Sequence, residues 1–209
     1  MNVTQKNNNL SSISEGRYSE LPKDDYIFIR ICDELVRKKD YQIHRLVTGW
    51  IKKRKTLFDL KYMDIYQKWL FEIVDDWGAC DILCYRVLNP MVEKYPCLYN
   101  EVYQWSISDK PYVKRAAAVC LLHSSQTFKV SVPFEVVTEV ADNLIEDKNI
   151  YVQNGVGWLL KYSYMSYPKQ TIEYLKKSSH KMNARIFNYA LEKFNEQDKD
   201  DMKAYRKKL

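Results

Sequence analysis

The chain has 209 residues, enough for one large domain with a sizeable core, and its 46% hydrophobic content is ordinary for a globular protein. Its 5 Gly and 6 Pro are too few for a hairpin-rich β protein and point to helices. A net charge of +6 fits a polyanionic partner without demanding one; 5 Cys without zinc-type spacing argue against a metal site and suit a reducing cytosol; no apolar run has the length of a membrane span or of a signal peptide.

Residues 1–22 are rich in Asn and Ser, end at Pro22 and read as a flexible N-terminal tail; 23–209 read as one helical domain. Asp24-Asp25 predicts the cap of a first helix, Tyr26–Lys38, with Ile27, Ile31 and Leu35 on its apolar face. The next helix starts at Tyr41 and runs into the basic cluster Lys52-Lys53-Arg54-Lys55. That cluster reads either as a phosphate site or as a solvated helix end, where cations favour the dipole. Met63–Val74 carries Ile65, Trp69, Leu70 and Ile73 and is expected to be helical and buried on one side. Asp75-Asp76 ends it or caps the next helix, Trp77–Asn89, and Pro90 breaks that helix or starts another. Helices follow at Leu98–Ser106, Pro111–His123, Pro133–Ile145, Tyr151–Tyr162, Pro168–Lys177 and Asn183–Phe194, and then a charged tail.

The chain repeats itself. Asp109-Lys110-Pro111-Tyr112-Val113 is echoed by Asp147-Lys148-Asn149-Ile150-Tyr151-Val152, with Tyr112 and Tyr151 39 residues apart. The Tyr41, Trp77 and Asn183 helices look like weaker copies. Two helices per roughly 40 residues is the HEAT or armadillo period, so the expected fold is all-α, a HEAT-like α–α superhelix (solenoid) with a concave basic groove. The second helix of each repeat would line that groove. Equivalent starts would bring Trp77 and Asp81, Lys114 and Arg115, and Trp158 and Lys161 onto it. Trp77 and Asp81 are four apart and share a helical face. A carboxylate among cations and indoles is repelled by phosphate, and stabilising a developing cation would give it a task. Taken singly, each tryptophan reads as solenoid core, and Asp81 as a surface or capping residue.

Trp77-x-x-x-Asp81, Val113-Lys114-Arg115-Ala116-Ala117-Ala118 and Val156-Gly157-Trp158-Leu159-Leu160-Lys161 resemble, in order and spacing, the DNA alkylation repair family, the AlkD-type HEAT-like glycosylases. The resemblance covers roughly 40–195. It implies a monomeric cytoplasmic protein that wraps duplex DNA and hydrolyses the N-glycosidic bond of cationic alkylated purines such as 3-methyladenine and 7-methylguanine. No metal and no other cofactor is implied. Asp81 would be catalytic, stabilising the oxocarbenium-like sugar. Trp77 and Trp158 would pack on the deoxyribose and backbone, Arg115 would hold a phosphate, and Lys114 and Lys161 would contact the backbone. Two departures stand out. Gly78 replaces the acidic residue that usually follows the first tryptophan, and fewer helices precede Tyr41 than in the family. A DNA-binding or protein-interaction relative without glycosylase activity is therefore the alternative.

Overall fold

The computed structural model describes residues 18–123 and 128–208. Most of the expected tail, residues 1–17, lies outside that range. Its last residues do not dangle: Tyr18–Glu20 form a 3-10 turn, Leu21 is buried, and the Pro22 carbonyl accepts a hydrogen bond from Arg54 Nη2 at 2.7 Å.

The helices begin where short polar side chains can satisfy the free amides of a first turn. Asp24 accepts from the Ile27 amide and opens α1, Asp25–Val36. Asp40 accepts from the Ile43 amide and opens α2, Tyr41–Lys53. Then come α3, Met63–Lys68, and α4, Trp77–Leu83, which Asp76 caps through the Gly78 and Ala79 amides. Next are α5 (Asn89–Lys94), α6 (Tyr99–Ser106), α7 (Pro111–Val119) and α8 (Phe134–Leu144). The C-terminal part holds α9 (Ile150–Ser166, capped by Asn149), α10 (Pro168–Ser178), α11 (Ala184–Ala190, capped by Asn183) and α12 (Glu196–Arg206, capped by Asn195).

Four details depart from the sequence reading. Pro90 neither stops the chain nor starts a separate helix: α4 and α5 are joined by one π turn, Cys84–Leu88. A proline ring collides with the carbonyl four residues earlier, and widening the preceding turn relieves that clash. A second π turn, Trp69–Ile73, extends α3. The expected Pro111–His123 helix stops at Val119. Leu122–His123 (β1) then pairs antiparallel with Lys129–Val130 (β2), with Leu122 opposite Val130. The charged C-terminal tail is helical as α12, because Asn195 caps it and Met202 anchors it in the core.

Two series of helices run through the chain. In one, α2 touches α4, α4 touches α7, α7 touches α9 and α9 touches α11. The other comprises α1, α3 with its π turn, α6, α8, α10 and α12, and side-chain hydrogen bonds stitch successive members. Trp69 Nε1 donates to Asp33 at 2.8 Å, Gln67 to Glu101 at 3.2 Å, Asn143 to Ser106 at 2.8 Å and Tyr174 to Asp142 at 2.8 Å. Each of these partners lies 34–37 or 32 residues away in sequence, one repeat along. Neighbour-to-neighbour bonding of this kind is how repeat arrays hold together. One core runs from Leu21 to Met202 between the two series.

Two glycines of α9 differ sharply. A Cβ on Gly157 would lie 2.8 Å from Tyr189 Cβ, so only glycine allows α9 and α11 to approach this closely. A Cβ on Gly155 would meet Arg115 Cγ at an ordinary 3.4 Å. Gly157→Ala is therefore expected to destabilise by about 1–3 kcal/mol through overpacking. Gly155→Ala should be neutral, or stabilising by up to ~1 kcal/mol through helix propensity. Urea denaturation of the two variants checks the contrast; equal effects would contradict it.

Candidate functional site

Helix α4 and the π turn that continues it carry a row at four-residue spacing, Trp77 and Asp81 on α4 and Tyr85 in the π turn. Trp77 is the first helical residue after the Asp76 cap, and its side chain stays 55% exposed. Beside it, the Tyr41 ring lies over Gly78 so closely that a Cβ there would come within 2.9 Å of Tyr41 Cε2. A larger side chain at 78 would have to move that ring aside. One turn on, Asp81 is 6% exposed.

Arg115 of α7 meets Asp81 with both prongs of its guanidinium. Nε donates to Oδ1 and Nη2 to Oδ2, each at 2.8 Å, and Nη1 donates to the Tyr151 carbonyl of α9 at 2.7 Å. Arg115 is itself only 5% exposed. All three guanidinium nitrogens are thus engaged within the protein. Burial pushes the Asp81 carboxyl above the usual carboxylate range, and the hydrogen bonds and charge of Arg115 pull against it. Burial also opposes the Arg115 charge, but Asp81 outweighs it and the guanidinium pKa rises. The planar, bidentate geometry suits two full charges, so we take the pair as ionised.

The other expected residues divide. Lys114 Nζ pairs with Asp147 at 2.7 Å, and Lys161 Nζ pairs with Glu192 at 2.7 Å while lying over the Tyr189 ring, 4.8 Å from its centroid. Trp158 is half-buried among aromatic rings. Its centroid lies 5.1 Å from Phe128, 5.6 Å from Tyr85 and 6.5 Å from Tyr162. Trp158 therefore reaches the α4 row through Tyr85, whereas Trp77 stands at the opposite end of the row. Among the described residues no contact joins the two indoles directly.

Tyr85 was not singled out from the sequence, although its place eight residues after Trp77 was the available signal. Its hydroxyl is buried without a hydrogen-bond partner among the described residues, and burial, then the Asp81 charge, pushes its pKa up. The carboxylates of Asp147 and Glu192 and the carbonyl of Tyr151 were also invisible, since nothing local marks a partner one repeat away. No group of His, Cys, Asp and Glu fit to hold a metal occurs among the described residues.

A family model described as DNA alkylation repair enzyme matches residues 5–194. The chain belongs to that family. The match takes in every helix from α1 to α11 and all six candidate residues. A search of curated proteins finds no match. Among the described residues no helix is long and apolar enough to cross a membrane. Within this DNA repair family, the row Trp77, Asp81, Tyr85 and the guanidinium of Arg115 form the candidate site.

Removing one partner of a buried ion pair strands the other charge. Arg115→Ala is expected to cost about 3–5 kcal/mol in denaturant unfolding. The double replacement Asp81→Leu with Arg115→Met should recover most of that loss. A loss under ~1 kcal/mol for the single variant would show that the pair is solvated in solution.

Proposed function

We propose that the chain is a HEAT-like superhelix that binds duplex DNA along the face of its α2, α4, α7, α9 and α11 series and hydrolyses the N-glycosidic bond of cationic alkylated purines. The observation that carries this reading is a buried, ionised Asp81 one helical turn from an exposed tryptophan, in a member of a DNA alkylation repair family. A buried ion pair is a poor stability device, because apolar side chains of similar volume do as well. A chemical task gives it a reason.

An alkylated purine carries positive charge and leaves as a neutral base, taking the electrons of the C1′–N bond. The sugar is left as an oxocarbenium ion. Asp81 is fixed by Arg115 and keeps two lone pairs free, so it supplies negative potential without having to reorganise. The exposed Trp77 indole offers its electron-rich face to the same cation. Water adds to C1′ and loses a proton, giving an abasic sugar and the free base. No proton has to be delivered to the leaving group. In this reading Trp158 acts through Tyr85, supporting the α4 row from behind, and Lys114 and Lys161 reach phosphate only by exchanging their carboxylate partners.

One observation favours a second reading, DNA binding without excision: both Asp81 oxygens already accept hydrogen bonds from Arg115, which offsets part of the carboxylate charge. Single-turnover assays on methylated duplex DNA separate the two. The excision reading expects release of 7-methylguanine or 3-methyladenine that falls by at least about 100-fold in Asp81→Asn. Duplex binding with no base released at enzyme excess would select the second reading.

A further inference from the structure

The cations that the family resemblance assigns to phosphate are neutralised inside the protein: Lys114 by Asp147, Arg115 by Asp81 and Lys161 by Glu192. The positive charge without such partners lies elsewhere. The basic run at the end of α2 splits by function. Arg54 turns inward, pairs with Asp25 at 3.4 Å, donates to the Pro22 carbonyl and stacks 3.9 Å over the Phe28 ring, so it is a fastening of the N-terminus. Lys53 faces a crevice of about 340 Å³ between α2 and the π turn, lined also by Gln42, Arg45, Gly49 and Arg86.

Among the described residues this crevice is lined by three cations and no carboxylate. Arg45, Lys53 and Arg86 make no ion pair among the described residues. Arg86 is held in place by the helix it crosses. Its Nη1 donates to the Arg45 carbonyl at 2.5 Å and lies 3.5 Å from Thr48 Oγ1. Gly49 makes room for that crossing, since a Cβ there would lie 3.2 Å from Arg86 Nη1. Partial burial, and then the Arg45 charge, lowers the Arg86 pKa, while Tyr41 acts in the opposite direction. The Arg86 guanidinium is thus held at the α2 backbone, where the Arg45 charge repels it, in a crevice that Leu46 and Trp50 also line. An oxyanion relieves that repulsion, and guanidinium forks match the oxygens of a phosphate.

We propose that Arg45, Lys53 and Arg86 form a phosphate seat, which takes a backbone phosphodiester of DNA in the region N-terminal to Asp81. The seat rests on the DNA reading above for the identity of its ligand, not for its chemistry.

The test compares the full chain with Arg45→Ala/Arg86→Ala and with Gly49→Ala, which keeps every charge and crowds the Arg86 guanidinium. Thermal melts confirm that each variant is folded. Binding of a short fluorescein-labelled duplex is measured over a salt series. The double variant should weaken binding alike for all duplex sequences and lower the slope of log K against log salt by about 1. Gly49→Ala should give a smaller loss in the same direction. An unchanged slope in the double variant, with the parent binding normally, overturns the DNA seat. In a second arm, inorganic phosphate is titrated while the Nε–H resonance of Arg86 is followed by NMR. If the parent binds no duplex, the DNA reading fails and this arm alone decides. A shift at Arg86 that Arg45→Ala abolishes keeps the seat as a site for free phosphate, and no shift removes it.

Discussion

Arg115 is the side chain on which the site and the array both depend. From α7 it reaches back to Asp81 on α4 and forward to the Tyr151 carbonyl on α9, so one guanidinium ties three successive helices of the same series. In a repeat array each unit contacts only its neighbours, and stability is close to a sum of neighbour terms. A bond that spans three units fixes their register more than it adds to stability, since the desolvation of both charges offsets much of their attraction. The Arg115 side chain passes beside Gly155 of α9, where there is room for a further methyl group at ordinary contact distance.

The same physics sorts the remaining charge. Lys114 of α7 and Lys161 of α9 pair with carboxylates one repeat ahead, 33 and 31 residues away. These pairs serve cohesion between repeats. At the α2 end, Arg45, Lys53 and Arg86 line one crevice with no acid beside them among the described residues, and Arg86 crosses α2 at Gly49. Arg86 follows Tyr85 in the chain, so this cluster of cations lies next to the row of Trp77, Asp81 and Tyr85, where an anionic backbone and a cationic lesion would have opposite needs.

Much of the fold was legible because helix starts are local events. Asp24, Asp40, Asp76, Asn149 and Asn183 each bond to amides two or three residues on, and such side chains show in the sequence. What stayed hidden depends on distant residues. The β1–β2 hairpin needs Leu122 to find Val130, and α12 needs Met202 to find the core. The π turn before Pro90 answers a clash that only a continuing helix creates. At the site, the spacing of Trp77 and Asp81 was readable, whereas the partner of every cation was not, because each lies a whole repeat away. At the inner end of the tail, the bond from Arg54 to Pro22 spans 32 residues, and no local signal marks it.

The central claim is that Arg115 is a buried strut for Asp81, in place before any DNA arrives. Arginine side-chain NMR tests it directly, by the exchange of the Arg115 Nε–H with solvent in the free protein. The account predicts a resolved signal that exchanges far more slowly than those of exposed arginines such as Arg45, and that reverts to rapid exchange in Asp81→Ala. An Arg115 signal exchanging as quickly as Arg45 in the unaltered protein would contradict it.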